Sequence, residues 1–107
     1  MKYKVLIDPM TKQDLQEIFL YTAVNNSFSL ANKLLDSIEQ TCYNLVEFPR
    51  RGHIPYELRS TGIKRYLEIH HKHYRIIYEI EKNTIYIHLV LDGRINIQEI
   101  LSDRLLR

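Results

Sequence analysis

The segment HHKHYR, residues 70–75, holds three of the five histidines of the chain beside a lysine and an arginine. Histidine is the side-chain type that ordinarily changes charge near neutral pH, and Lys72 and Arg75 add fixed positive charge beside His70, His71 and His73. Such a cluster suits four roles: a metal site, an acid–base centre, a nucleic-acid contact or a polar turn. Metal ligation is the weakest of these. On an extended chain His70 and His71 project to opposite faces. His71 and His73 share a side, but no third ligand stands at a recognised spacing. No metal or other cofactor is expected. Arg75 follows Tyr74 in a strand-like stretch. There it serves either as an ion-pair partner of Glu68 or Glu79 across a sheet or as a catalytic cation.

The elements that would place these residues follow from hydrophobic periodicity. YKVLIDP reads as a strand closed by Pro9. Thr11 to Asp14 has the form of a helix-capping box, followed by Leu15, Ile18, Phe19 and Ala23 at helical spacing. The pattern breaks at Asn25 and Asn26. Ser27 then caps a second helix whose apolar face runs through Ala31, Leu34, Leu35, Ile38, Cys42, Leu45 and Val46, and Phe48–Pro49 ends it. So short a break predicts an antiparallel helical hairpin. PRRGHIPYELRSTG reads as a long ordered loop.

Alternation then replaces helical spacing. KRYLEIH places Leu67 and Ile69 opposite Lys64, Tyr66, Glu68 and His70. YRIIYEIE places Tyr74, Ile76, Tyr78 and Ile80 opposite Arg75, Ile77 and Glu79. TIYIHLVL sets Ile85, Ile87, Leu89 and Leu91 against Tyr86, His88 and Val90. EKNT is a tight hairpin turn, and HHKHYR becomes the turn between the first two of these strands. Asn96 to Glu99 forms a second capping box, opening a short helix. The expected fold is α+β, a helical hairpin packed on a small antiparallel sheet in the order β-α-α-β-β-β-α, in one domain spanning residues 1–107. The sheet face away from the hairpin is expected to stay partly open and basic.

Bulk properties narrow the function classes. At 107 residues with a net charge of +2, the chain suits one modest core and carries too little charge to establish nucleic-acid binding by itself. The charge is concentrated, however. Residues 50–75 carry Arg50, Arg51, Arg59, Lys64, Arg65, Lys72 and Arg75, opposed only by Glu57 and Glu68. No apolar run is long enough to span a membrane and no signal peptide is evident, so no membrane partner and a cytoplasmic location are expected. The single cysteine, Cys42, lies in a helical apolar pattern and reads as a buried hydrophobe.

Several motifs in order resemble the RelE/ParE toxin superfamily: a proline-x-x-glycine loop at Pro49–Gly52, YRIIY at Tyr74–Tyr78, and VLDGR at Val90–Arg94 before a short helix. DLQEIFLY at Asp14–Tyr21 fits the first half, so the resemblance covers nearly the whole chain. It implies the toxin of a type II toxin–antitoxin module of the plasmid-stabilisation type, which inhibits growth until a cognate antitoxin wraps it. It also implies contact with operator DNA, mainly through the antitoxin.

The superfamily divides by target. RelE-like members cut mRNA on the ribosome, whereas ParE-like members inhibit DNA gyrase. Cleavage through the RNA 2′-hydroxyl needs a base, an acid and cations for the phosphate. The RelE arginine has its counterpart in Arg75. The paired lysines of that group fall on Tyr66 and Glu68, its C-terminal tyrosine falls near Leu101, and its second arginine falls on Ile95 or Arg94. Most of the RelE set is absent, so the resemblance leans towards ParE and gyrase. A nuclease would have to use Arg75 with His70, His73 or Glu68. A gyrase-binding surface would draw on Arg65, Lys72, Arg94, Arg104 and Arg107, the last two exposed at the C-terminal end. A degenerate, non-toxic module that binds only its antitoxin is the third reading.

Overall fold

A computed structural model of the chain describes residues 2–94 and 98–106. The elements are β1 (Lys4–Ile7), α1 (Pro9–Asn25), α2 (Phe28–Tyr43), β2 (Tyr66–His71), β3 (Tyr74–Glu81), β4 (Thr84–Asp92) and α3 (Gln98–Leu105). Short 3-10 helices lie at Asn44–Val46 and Tyr56–Thr61. The α+β architecture expected from periodicity is therefore present. The sheet has the order β1-β4-β3-β2. Its three antiparallel strands are joined by β1, which pairs parallel to β4 with Lys4 opposite Thr84.

The start of α1 differs from the expected capping box. Asp8, not Thr11, is the N-cap: its Oδ1 accepts the Thr11 N–H at 2.8 Å. Pro9 then occupies the first helical turn, where its missing N–H costs nothing. Thr11 and Asp14 are thereby released for the sheet. β1 ends at Ile7, so the edge of β4 beyond it would present unpaired backbone groups. The Thr11 hydroxyl donates to the Ile87 carbonyl at 2.8 Å, and Asp14 Oδ2 accepts the Val90 N–H at 3.2 Å. Side chains of α1 thus finish the edge that the strand leaves open. Ser27 caps α2 as expected, accepting the Leu30 N–H at 3.0 Å.

One core lies between the helical hairpin and the sheet, with Leu15, Ile38, Cys42 and Leu45 packed on Ile69, Ile76, Tyr78, Ile85, Ile87 and Val90. Cys42 is fully buried, and burial, with Glu39 nearby, pushes its thiol up to about 12, so it is packing material rather than a nucleophile.

Two expectations change on the other face. Much of the sheet is covered there: Leu58 of the second 3-10 helix and Leu101 and Leu105 of α3 lie over Tyr66, Ile77, Leu89 and Leu91, and the face opens only as a cleft at Glu68, His70 and Arg75. The sheet therefore has apolar packing on both faces, which is why Ile76 and Ile77, adjacent in sequence, are both fully buried. The alternation of β4 also breaks. Ile77 pairs with Leu89 but Tyr78 pairs with Ile87, so His88 is an extra residue in a β-bulge. The bulge moves Leu89 and Leu91 to the α3 face and Val90 to the hairpin face. Strict alternation placed them the other way.

The loop before β2 is ordered by Tyr78. Its hydroxyl donates to the Pro49 carbonyl at 2.7 Å and accepts the Gly52 N–H at 3.1 Å. A Cβ on Gly52 would stand 2.7 Å from that hydroxyl and 2.8 Å from the Glu68 carbonyl, so only glycine fits. Just beyond, His53 forms an isolated antiparallel bridge with Glu68.

Candidate functional site

The HHKHYR segment is the turn between β2 and β3, with Lys72 and His73 at its tip and Lys72 at φ 55°. Its histidines disperse. His71 lies on the hairpin side, where Nδ1 is 3.4 Å from the Thr41 hydroxyl and Nε2 is buried without a hydrogen-bond partner. The His73 ring lies tilted against that of Tyr74, 4.3 Å between centres, and sits 3.7 Å from Asp92. His70 turns to the opposite face, towards Glu68.

Arg75 is the hub of that face. Its Nε donates to Glu68 Oε2 at 2.9 Å and its Nη2 to Glu68 Oε1 at 2.5 Å. Nη1 and Nη2 also donate to the two oxygens of Glu57 at 2.9 and 2.8 Å. Four of the five guanidinium N–H groups are thus spent on carboxylates. The Arg75 side chain is 14% exposed and Glu68 only 2%. Arg75 holds the Glu57 carboxyl below its ordinary value, and the paired carboxylates, Glu57 foremost, raise the arginine further above its own. His70 Nε2 closes on Glu68 Oε2, and the His53 ring stands edge-on to His70 at 5.5 Å. These groups, with Tyr56, Lys72, His73 and Arg94, line an open cleft of about 390 Å³. The structure therefore brings together Glu68, His70 and Arg75 and places His73 on the rim. Of the two ion-pair partners considered for Arg75, Glu68 is the one used, whereas Glu79 pairs with His88 at 2.9 Å.

A second concavity runs along the end of β4 between α1 and α3. It encloses about 660 Å³ and is walled by Met10, Ile18, Tyr21, Tyr74, Leu91 and Ile100. Beside it, the outer face of the hairpin exposes Leu20, Tyr21, Val24 and Phe28, with Val24 82% exposed.

A family model for the ParE toxin of type II toxin–antitoxin systems (parDE) matches residues 5–97. Toxin ParE3 of Caulobacter vibrioides is 30% identical over 84 residues, 78% of this chain and 80% of its own length. The chain belongs to the ParE toxin family. Two solved structures share the fold. The chromosomal ParDE system of P. aeruginosa superposes with a TM-score of 0.66 at 14% identity, covering 80% of this chain and 90% of that one. The RelBE2 toxin–antitoxin complex of Mycobacterium tuberculosis superposes with a TM-score of 0.61 at 19% identity, covering 84% and 96%.

For a ParE-type toxin the cations expected to face a target fare unequally. Arg65 and Lys72 are exposed, Arg65 lying over the Tyr66 ring with 4.9 Å between guanidinium carbon and ring centre. Arg94 is exposed but folded back on Asp92, its Nη2 2.7 Å from Oδ2. Arg104 corrects the expectation of a free C-terminal charge. It is 13% exposed, forms two bonds to Asp14 at 2.9 and 3.0 Å, and donates to the His88 carbonyl at 2.7 Å. It ties α3 to α1 and to the bulge. Arg107, and Asn96 of the second capping box, lie outside the described residues. The residues missed in the sequence are Glu57 and His53. Glu57 left one clue, as one of only two acids in the basic stretch that contains Arg75.

Proposed function

We propose that this toxin acts by binding DNA gyrase rather than by cutting RNA, and that a cognate antitoxin neutralises it. One observation carries the choice of target: the Arg75 guanidinium, the strongest nuclease candidate, is committed to Glu57 and Glu68 and has one N–H left. A phosphate entering that site would find the Arg75 charge already matched by two carboxylates, so this guanidinium offers it little attraction, and the unspent cations of the cleft, Lys72 and Arg94, stand at exposed positions. Inhibition by binding makes no such demand. Exposed Arg65, Lys72 and Arg94 offer charge for a target surface. The apolar hairpin face with Leu20, Val24 and Phe28 supports a protein partner there, and the antitoxin fits that role. Operator DNA would then be reached mainly through the antitoxin.

The second reading, a ribosome-dependent mRNA endonuclease, draws on the meeting of Glu68, His70 and Arg75 in one cleft. Purified chain is added to a gyrase supercoiling assay and, separately, to a translating extract with a reporter mRNA. The expected result is blocked supercoiling with intact mRNA, relieved by Lys72→Glu with Arg94→Glu. Cleaved mRNA with normal supercoiling overturns the gyrase reading. Loss of neither process, with harmless expression, leaves a binding module without toxicity.

A further inference from the structure

We propose that His53, Glu68 and His70 form a binding site for a borderline divalent transition ion such as Zn²⁺. One potential ligand atom from each residue lies within 4.8 Å of the others. Two histidines and a glutamate are a donor set that zinc accepts, with a fourth position open to solvent. Imidazole nitrogens favour Zn²⁺ or Ni²⁺ over Mg²⁺ or Ca²⁺.

The backbone builds this site. Glu68 and His70 are two apart on β2 and so project to one face. His53 is set beside Glu68 by a pair of backbone bonds, His53 N–H to Glu68 O at 3.0 Å and Glu68 N–H to His53 O at 2.7 Å. The outer shell fits as well. His53 Nδ1 lies 3.1 Å from the Ile54 carbonyl, which can only accept, so Nδ1 carries the proton and Nε2 keeps its lone pair for a ligand. Glu68 Oε2 accepts one bond from Arg75 Nε and turns towards His70 Nε2, where an ion or a proton must mediate between two groups with lone pairs. The nearest charges are compatible with a cation: Glu57, Glu68 and Arg75 sum to one negative charge beside the imidazoles, while Lys72 and Arg94 also line the cleft, Arg94 paired with Asp92. His70 is half exposed and free to swing to a bonding distance. Bound there, the ion would staple the loop before β2 to the sheet.

The test uses the untagged full chain, stripped with a chelator and titrated with ZnCl₂ alone by calorimetry and thermal melting. One equivalent is expected to bind and to raise the melting temperature. His53→Ala and His70→Ala, both at exposed positions, should each weaken binding about tenfold or more, on the scale of losing a ligand or its support. His71→Ala and His73→Ala should not. Co²⁺ in place of Zn²⁺ should give the intense visible bands of a four-coordinate site, lost in His53→Ala. Binding unchanged in His53→Ala and His70→Ala, or lost equally in His73→Ala, would assign the ion to scattered surface histidines and overturn the site. No binding to the wild-type chain would overturn it outright.

Discussion

Arg75 is a decisive residue to perturb, because its structural and catalytic roles predict different consequences. Replacing it with alanine removes four donor contacts of 2.5–2.9 Å from two carboxylates. Glu68, 2% exposed, then keeps His70 as its side-chain partner and lies near a second unneutralised acid. Breaking such a pair from one side costs about 3–5 kcal/mol. Against a total stability of about 5–15 kcal/mol for a domain, that is a large share. The assay is urea unfolding followed by circular dichroism, since the chain has no tryptophan. At pH 7 Arg75→Ala should lower the midpoint strongly without changing the slope. Its pH response should also change. Arg75 holds the Glu57 carboxyl below its ordinary value of 4.5, so the wild-type pair contributes stability above that value that is lost as pH falls through the lowered one, and Arg75→Ala should lose this dependence. Adding Glu57→Gln and Glu68→Gln to Arg75→Met should recover most of the loss, because an uncharged replacement removes the stranded charges. An Arg75→Ala variant within about 1 kcal/mol of wild type would refute the reasoning, as surface substitutions behave that way. Arg75 would then be free for function, and the nuclease reading would regain its main residue.

Three further outcomes follow from the same geometry. Arg104→Ala should cost about 2–4 kcal/mol and raise hydrogen exchange in α3 and at Val90, because the Asp14 and His88 acceptors lose charge-assisted bonds; unchanged exchange would count against its fastening role. Gly52→Ala should destabilise by about 1–3 kcal/mol through contact with Tyr78 and the Glu68 carbonyl, while Tyr78→Phe with Gly52→Ala should cost less than the sum of the two, as measured by a double-mutant cycle. Arg94 holds Asp92 at about 2, below its ordinary 3.8. This pair therefore stabilises the fold above about pH 4 and loses its effect as pH falls to about 2, and Arg94→Ala should flatten the stability profile there only slightly, because solvent screens so exposed a pair.

Much of the molecule was legible in the chain because periodicity records which side of an element meets a core. The helical hairpin, its Ser27 cap, the hairpin turns and the inward faces of β2 and β3 all follow from local spacing. The ordered motifs from Pro49 to Arg94 carried the family as well. Four features depended on contacts between distant segments. The bulge at His88 changes one residue of register, and the apolar Leu89, Val90 and Leu91 that follow hide it because both faces of that strand are apolar. The α3 face looked open because Leu101 and Leu105 say only that they will be buried, not against what. Arg75 has acids at 57, 68 and 79 within reach of a plausible sheet, and only the path of the loop brings Glu57 in while the bulge gives Glu79 to His88. His53 had no visible connection to His70 until a two-bond backbone bridge set it beside Glu68. Local sequence determines burial and, where the register is regular, direction, since those depend on a residue and its near neighbours. Pairing of charges and ligands depends on where separate segments come together, and here the tertiary fold alone decided it.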